Sequence, residues 1–225
     1  MDWWSIKEQL EKCCIRFTPK VVIEVLHYSR LHAGMTLQFF SWVGNHTSYR
    51  HTTQSYNMAI KIAGQAKDFK QMRSLFYEMR RKGYLITSDT WTIMIMQYGR
   101  TGLTHIALRT FREMKERGHS PNESTFKLLI KCLCGKKGWN VDEAVKLFHV
   151  MIKRGCRPDK ELAKAYLSCL CEVGKLSDAR SCIESLQKTG LIVPVRDLNG
   201  HARLKADLIE EVWNKNTGKS PQQFS

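Results

Sequence analysis

The sequence predicts an all-α fold, a solenoid of antiparallel helix-turn-helix repeats. The first observation is a phrase that recurs at a nearly fixed interval, at residues 78–83 (EMRRKG) and 113–118 (EMKERG), so that its glycines are 35 residues apart. Weaker copies end at Gly155 and Gly190. The second is the helical spacing of apolar residues on either side of short turns. A period of this length is typical of stacked repeats, which function through a long shared surface.

Composition agrees with a folded, basic protein. The chain has 225 residues, of which 43% are hydrophobic, and its apolar runs are too short to cross a bilayer, so we expect no membrane span. The net charge of +15 arises from 36 Lys and Arg against 21 Asp and Glu. Such an excess favours a polyanionic partner, nucleic acid first, although a basic surface without a specific ligand is the alternative.

The repeat phrase divides the chain into units of similar length. We predict an N-terminal helix, a degenerate repeat, four clear repeats, and a C-terminal capping helix with a tail. The predicted bounds are 1–17, 18–52, 53–87, 88–122, 123–159, 160–194 and 195–225. The third clear repeat contains two extra residues near 135–139, and the last helix lies around residues 202–215. Atypical units at both ends are usual in solenoids.

Each clear repeat begins with an aromatic or apolar residue, such as Tyr56, Trp91 or Phe126, which is followed by apolar residues at helical spacing. The length of about 12 residues and the flanking breaks favour helix over strand. We expect a short glycine-bearing turn after each of these helices. The predicted turns are at Ala63-Gly64, Thr101-Gly102, residues 135–138 and Val173-Gly174.

A second helix follows, with apolar residues at steps of three and four, as in Leu75, Phe76 and Met79. The repeats then end in Gly-x-x-Pro-Asn/Asp, at residues 118–122 and 155–159. Glycine suits the left-handed conformation just past a helix, and proline prevents continuation. Asn or Asp then suits the N-cap of the next helix, so each repeat has its own start and stop signals.

The eight cysteines include two Cys-x-Cys pairs, Cys132 with Cys134 and Cys169 with Cys171. Both pairs occupy the same register of their repeats, so packing explains them without a metal. Their spacing also differs from the usual zinc ligand spacing. We therefore expect structural free thiols, a reducing compartment, and neither a metal nor another cofactor.

The residues together resemble the pentatricopeptide repeat family, of the plant P-class type. The resemblance rests on the 35-residue period, the opening Ser55-Tyr56-Asn57, the segment LFYEM at 75–79 and the Gly-x-x-Pro-Asp ending. It covers residues 18–194 and is strongest over 53–159. It implies a right-handed superhelix with single-stranded RNA in a basic groove formed by the first helices. It also implies a plant organelle, with the mitochondrion preferred over the chloroplast, although no transit peptide is visible in this sequence.

In this family the fifth and last residues of a repeat select one base. The resemblance therefore assigns four base-selecting pairs: Asn57 with Thr87, Thr92 with Asn122, Lys127 with Asp159, and Lys164 with Pro194. The second pair matches an adenine-type combination, and the first is a weak pyrimidine-type combination. Lysine departs from the pattern because it cannot accept a hydrogen bond, so Lys127 and Lys164 are alternatively phosphate contacts.

The residues that flank the base in the family are usually apolar, but here they are Gln54, Asp89, Ser124 and Glu161. Carboxylates beside an RNA track weaken electrostatic attraction and stacking. The alternative to base selection is that these repeats only continue the scaffold.

The sequence thus predicts a non-catalytic RNA-binding protein that acts in organellar RNA processing, stability or translation. The alternative is a protein-interaction scaffold, ribosome-associated or joined to RNA-processing proteins. We do not expect an enzyme, because the chain has neither a Gly-rich phosphate loop nor a His-x-Glu sequence with a downstream Cys-x-x-Cys.

Overall fold

The structure, a computed structural model, describes residues 2–13, 15–135 and 140–188. These residues form helices and connecting turns and contain no strand, which confirms the all-α prediction. The helices are α1 (Trp3–Lys12), α2 (Pro19–Tyr28), α3 (Ala33–Val43), α4 (Thr53–Gln65), α5 (Phe69–Arg81), α6 (Ser88–Arg100), α7 (Thr104–Glu116), α8 (Glu123–Cys134), α9 (Val141–Lys153), α10 (Lys160–Glu172) and α11 (Leu176–Lys188). None of these described helices is both long and apolar enough to cross a membrane.

The chain divides into two compact units, Met1–Pro121 and Asn122–Ser225, and each is described by itself. In the first unit α4 packs against α5 and α6 against α7, and the helices α2, α4 and α6 contact one another in succession. In the second unit α8 packs against α9, α10 against α11, and α8 against α10. We call α4, α6, α8 and α10 the first helices, and α5, α7, α9 and α11 the second helices.

The core follows the predicted helical periodicity. On α5 the residues Met72, Leu75, Phe76 and Met79 are buried, at steps of three and four, while Arg73 on the opposite face is exposed. Burying such an apolar stripe against the partner helix is the main source of helix stability in a protein, since isolated helices of this length are marginal in water.

Glycines end the second helices as predicted. Gly83, Gly118 and Gly155 have φ of 75°, 80° and 75°, in the left-handed region that favours glycine. The N–H of the following residue bonds back to the helix, as Tyr84 N does to the Met79 carbonyl at 3.0 Å. This arrangement satisfies carbonyls that would otherwise lack partners at the helix end.

The predicted turn at Ala63-Gly64 is wrong, because both residues lie inside α4. The chain turns instead at Lys67, a non-glycine residue with a φ of 62°. Gly64 is a packing residue. A Cβ atom there would lie 2.2 Å from Cγ of Gln97 on α6 and 2.9 Å from Sδ of Met72. The glycine therefore permits the close approach of α6 to α4, which a pattern of turn residues does not reveal.

Some predictions fall on parts of the chain outside the described residues. These are the C-terminal capping helix and tail at 195–225, Pro194, Gly190, and most of the turn at 135–138. The proposed repeat bounds themselves remain a prediction.

Candidate nucleic-acid interface

The four predicted fifth-position residues share one structural register. Asn57, Thr92, Lys127 and Lys164 are each the fifth residue of a first helix, on α4, α6, α8 and α10 respectively. The side chains of Asn57, Thr92 and Lys127 are partly buried, and that of Lys164 is exposed. They therefore occupy equivalent places one turn into each first helix.

Three of the predicted last-position residues are N-caps. Thr87, Asn122 and Asp159 cap α6, α8 and α10, and each accepts a hydrogen bond from the backbone N–H three residues on. These bonds satisfy amides that have no partner within the helix. Each such residue thus has a structural role that uses part of its hydrogen-bonding capacity. Pro194, the fourth, lies outside the described residues.

The first candidate pair is joined through Thr90. The Thr90 hydroxyl donates to Oδ1 of Asn57 at 2.8 Å and lies 3.2 Å from the hydroxyl of Thr87. Thr90 is fully buried, and its hydroxyl also accepts from the N–H of Thr87, which completes a capping box. Because Oδ1 of Asn57 faces Thr90, its amide NH₂ is the group that remains to meet a ligand.

The second candidate pair has its two members in different units, so each is considered alone. The hydroxyl of Thr92 donates to the carbonyl of Ser88 at 2.8 Å, within α6. Oδ1 of Asn122 accepts from both the N–H and the hydroxyl of Thr125, at 2.9 and 2.8 Å. The exposed side chain of Asn122 is therefore oriented with its NH₂ as the remaining donor group.

The two members of the third candidate pair, Lys127 and Asp159, form an ion pair with each other. Nζ of Lys127 lies 3.2 Å from Oδ2 of Asp159 and 2.6 Å from Oε1 of Glu123, the first residue of α8. Oδ1 of Asp159 meanwhile accepts the N–H of Leu162 at 2.7 Å. Both carboxylate oxygens of Asp159 and the ammonium of Lys127 are thus engaged inside the protein.

The pKa shifts of these groups agree with the ion pair. Burial opposes ionisation of Asp159, but the Leu162 N–H and the Lys127 ammonium outweigh it and hold its pKa below the ordinary value. Burial likewise lowers the pKa of Lys127, but the Glu123 and Asp159 carboxylates raise it above the ordinary value. The hydrogen bond from Lys127 also lowers the pKa of Glu123. All three groups are therefore charged at neutral pH.

The residues at the flanking positions are all exposed: Gln54, Asp89, Ser124 and Glu161. Lys164 is exposed as well, and no ion pair to it occurs within the described part of the chain. The two lysines at the fifth position therefore differ in availability, since Lys127 is paired with carboxylates and Lys164 is solvated.

Sequence reasoning missed Thr90 and Glu123, which position the candidate residues. The sequence did contain a signal for Thr90. The third position of successive first helices is a hydroxyl residue near the cap, namely Ser55, Thr90 and Thr125. The fourth first helix has Leu162 there, and no side-chain hydroxyl is available. Glu123 was not detectable, because its role depends on Lys127 and Asp159 meeting in space.

Three of the cysteines are packing residues. Cys169, Cys171 and Cys182 are buried free thiols in the second unit. Burial raises the pKa of Cys171 and of Cys182, so these thiols stay protonated at neutral pH. Within the described ranges no group of three or more His, Cys, Asp or Glu side chains has an arrangement that can hold a metal ion.

Comparison with known sequences identifies the repeats. A sequence model described as the PPR repeat family matches residues 86–135, and one described as the PPR repeat matches 54–84 and 124–156. A pentatricopeptide repeat-containing mitochondrial protein of Arabidopsis thaliana is 60% identical over 194 residues, which cover 86% of this chain and 19% of that protein.

The chain is a pentatricopeptide repeat protein.

Solved pentatricopeptide repeat (PPR) structures share the fold. The maize protein PPR10 matches with a TM-score of 0.65 at 22% identity, over 98% of this chain and 33% of PPR10. PPR10 bound to an 18-nt psaJ RNA element matches with a TM-score of 0.61 over 93% of this chain and 35% of that one. The PPR domain of Arabidopsis thaliana protein-only RNase P 1, in complex with tRNA, matches with a TM-score of 0.64 at 14% identity, over 88% of this chain and 98% of that domain. The first helices of this PPR chain thus belong to a known α-solenoid architecture.

Proposed function

We propose that this PPR chain binds single-stranded RNA through its first helices and contributes, without catalysis of its own, to RNA processing, stability or translation in a plant organelle. The observation that carries the proposal is the shared register of the candidate residues. The four fifth-position side chains recur at equivalent helix positions, and so do the three described cap residues Thr87, Asn122 and Asp159. A repeating set of side chains suits a polymer with one base for each repeat.

The hydrogen bonds of the caps explain how such a set chooses bases. Asn122 uses Oδ1 for capping, so it presents N–H donors to a base. An acceptor on the base edge, such as N1 of adenine, complements these donors. An aspartate at the same place caps with one oxygen and presents the other as an acceptor, which complements N3–H of uracil. On the family's pattern of fifth and last residues, we assign Thr92 and Asn122 to adenine, and Asn57 with Thr87 to a pyrimidine.

The remaining candidates have different roles in this proposal. Lys127 and Asp159 are base-selecting only when their ion pair opens, because the pair occupies the groups that would meet a base. Lys164, which is solvated, contacts phosphate and adds affinity without sequence choice. Pro194 is assigned to the fourth pair only from its position as the last residue of the fourth repeat.

The organelle and the ligand class are supported by the relatives. The name of the 60% identical Arabidopsis thaliana relative places it in the mitochondrion, which we propose for this chain. Another Arabidopsis thaliana PPR protein, 22% identical over 193 residues, is chloroplastic by name, so the chloroplast is the alternative. PPR10 and the RNase P PPR domain were solved with RNA. The net charge of +15 agrees with a polyanionic ligand.

The first experiment measures binding of the purified chain to a randomised pool of single-stranded RNA at low and increasing salt. We expect binding that weakens with salt, because phosphate contacts release counterions. Absence of any binding at low salt would reject the proposal.

The second experiment tests the register. The double variant Thr92→Asn with Asn122→Asp retains the α8 cap, because aspartate is as good a cap as asparagine. Selection of bound sequences from the randomised pool should show a shift from adenine to uracil at one position. An unchanged selected sequence, from a variant with unchanged circular dichroism, would contradict the assigned register.

A protein-interaction scaffold is the second candidate, favoured by one observation. Asp89 and Glu161 are exposed at positions that flank the proposed RNA track, where carboxylates repel phosphate. If the scaffold is the main role, a ribosomal or RNA-processing protein should co-purify with the chain after nuclease treatment. Loss of every partner on nuclease treatment would favour RNA binding instead.

A further inference from the structure

A cavity of about 340 Å³ lies in the first unit, where α5 and α7 end and α6 begins. Its lining consists of Phe76, Arg80, Ile86, Trp91, Arg117 and His119. Four of these side chains carry N–H groups and none is a carboxylate, so the lining is rich in hydrogen-bond donors. None of them belongs to the candidate base-selecting set. The volume is at the lower end of the range of about 300–1,000 Å³ typical of ligand pockets.

The indole N–H of Trp91 is a buried donor without a partner. Trp91 is 1% exposed, and its Nε1 makes no hydrogen bond within the described residues. The ring is held between Phe76 and His119, whose centroids lie 4.9 and 6.0 Å away. A buried donor without a partner costs on the order of 1–3 kcal/mol, so such a group in a native protein requires an explanation.

The helix pair 35 residues earlier shows how the polar group at this register finds a hydrogen-bond partner elsewhere. There Tyr56 takes the position of Trp91, and its hydroxyl donates to Oε1 of Glu78 at 3.0 Å. Lys82 completes that network, with Nζ 2.7 Å from the same oxygen. The polar group at this register is thus satisfied by a carboxylate of the protein itself.

Around Trp91 the equivalent carboxylate is engaged differently. Glu113 takes the position of Glu78, but its Oε1 accepts from Nε and Nη2 of Arg117 at 2.9 and 2.8 Å. It makes no hydrogen bond with the Trp91 indole. Glu113 therefore leaves the cavity without an acceptor for the indole, and Arg80 adds a cation to its lining.

The charge of the lining indicates which ligand fits. Arg117 and Glu113 neutralise each other, while Arg80 is exposed and has no ion pair within the described residues. The lining therefore carries a net positive charge, and its groups that lack a partner are hydrogen-bond donors. Guanidinium groups bind phosphate oxygens through paired hydrogen bonds, which an ammonium cannot form in the same geometry.

We propose that this cavity binds a phosphate group, held by Arg80 with Arg117 and His119 as further donors. Binding of the phosphate brings an acceptor towards the unpartnered indole N–H of Trp91. The phosphate belongs either to a free ion or nucleotide, or to an RNA strand. The cavity contains none of the candidate base-selecting residues, so its test is independent of the proposed base selection.

The test follows the indole N–H resonances of the ¹⁵N-labelled chain by NMR while inorganic phosphate is added at constant ionic strength. We expect one indole resonance to shift saturably, and its absence from the spectrum of Trp91→Phe identifies it. Arg80→Gln should weaken the phosphate affinity at least tenfold. The matched control is Arg73→Gln, on the same helix and exposed but outside the cavity, which should bind phosphate as the parent does.

Two further ligands distinguish the sources of the phosphate. A short oligoribonucleotide with a 5′-monophosphate and the same oligonucleotide with a 5′-hydroxyl are titrated in parallel. A Trp91 shift with the first alone assigns the site to a terminal phosphate, and a shift with both assigns it to the RNA backbone. If Trp91→Phe does not fold, the rise in unfolding temperature with phosphate is compared among the parent, Arg80→Gln and Arg73→Gln. Equal behaviour of the two arginine variants, or no saturable response to any phosphate, would overturn the proposal.

Discussion

The hydroxyl of Thr90 donates a hydrogen bond to Oδ1 of Asn57 at 2.8 Å, across the contact between α6 and α4. This bond orients the Asn57 amide, so that the donor groups and not the acceptor face away from the helix contact. One buried hydroxyl therefore serves packing between successive first helices and also the chemistry of a candidate base-selecting residue.

Replacing Thr90 by valine should release the Asn57 amide. We expect the preference at the base assigned to Asn57 and Thr87 to broaden, because either face of the amide can then meet the base. The free energy of unfolding should fall by about 1–3 kcal/mol, since the Thr87 N–H and Asn57 Oδ1 lose a partner. Sequence selection from an RNA pool and urea denaturation measure the two effects. Thr90→Ser is the control that keeps the hydroxyl, and equal preferences in Thr90→Val and the parent would contradict the assigned role.

Lys127 and Lys164 should respond differently to the same substitution. Lys164→Ala should weaken RNA binding and reduce the slope of log affinity against log salt by about 0.7, the value for one phosphate contact on a single strand. Lys127→Ala should change both quantities by less than Lys164→Ala does, because the Lys127 ammonium is already paired with Glu123 and Asp159. Fluorescence anisotropy over a range of salt concentrations measures both quantities.

The companion variant is Glu123→Gln, which removes one of the two carboxylates that hold Lys127. We expect RNA affinity to rise and the salt slope to steepen, because the freed ammonium becomes available to phosphate. If Lys127→Ala weakens binding as much as Lys164→Ala does, the ion pair does not keep Lys127 from the ligand.

His51 should make stability depend on pH. It is 7% exposed and stacks on Phe40 with ring centroids 3.8 Å apart. Burial and the nearby Lys82 lower its pKa from 6.5 to about 4, against smaller opposing effects of a hydrogen bond to the Phe40 backbone and of Glu78. The unfolded chain therefore binds a proton on this side chain between pH 6.5 and 4, and the folded chain does not. Stability should be full above pH 6.5 and fall by about 3 kcal/mol as the pH drops towards 4.

Urea denaturation at several pH values measures this loss of stability. In His51→Gln, the part of the loss between pH 6.5 and 4 that arises from protonation of this one side chain should be absent. His27 is the matched control, because it is an exposed histidine of the same unit. His27→Gln should keep the pH dependence of the parent. An unchanged profile in His51→Gln would show that other groups cause the loss.

Two glycines in helices should give opposite results on substitution by alanine. Gly64→Ala should destabilise the chain by about 1–3 kcal/mol, because the new Cβ overlaps Gln97 of α6. Gly34→Ala, in α3, should stabilise it by about 0.5–1 kcal/mol, because no atom lies within 4 Å of the new Cβ and alanine is the better helix former. Thermal unfolding of both variants measures the difference, and a stabilised Gly64→Ala would refute the close contact.

Much of the fold was predictable because the same signals for the start and the end of a helix recur in successive repeats. The left-handed Gly118 and Gly155 and the caps Asn122 and Asp159 were each expected from the Gly-x-x-Pro-Asn/Asp ending, and Gly83 was expected from the recurring phrase that ends in glycine. Local chemistry decides such helix ends, so the local sequence is sufficient. Gly64 was misassigned because the same residue type serves both turns and close helix contacts.

By itself, the sequence determined the helical repeat, because period, caps and apolar spacing are local and recur along the chain. The positions at which a base would be read stay a prediction that rests on the family resemblance. The tertiary structure alone decided which donor, acceptor and charged groups remain available to a ligand. Thr90 orients Asn57, Asp159 and Glu123 neutralise Lys127, and Trp91 lacks the carboxylate that serves Tyr56. These relationships join residues about 4–33 positions apart, and a hydrogen bond or ion pair exists only when packing brings both partners within about 3 Å.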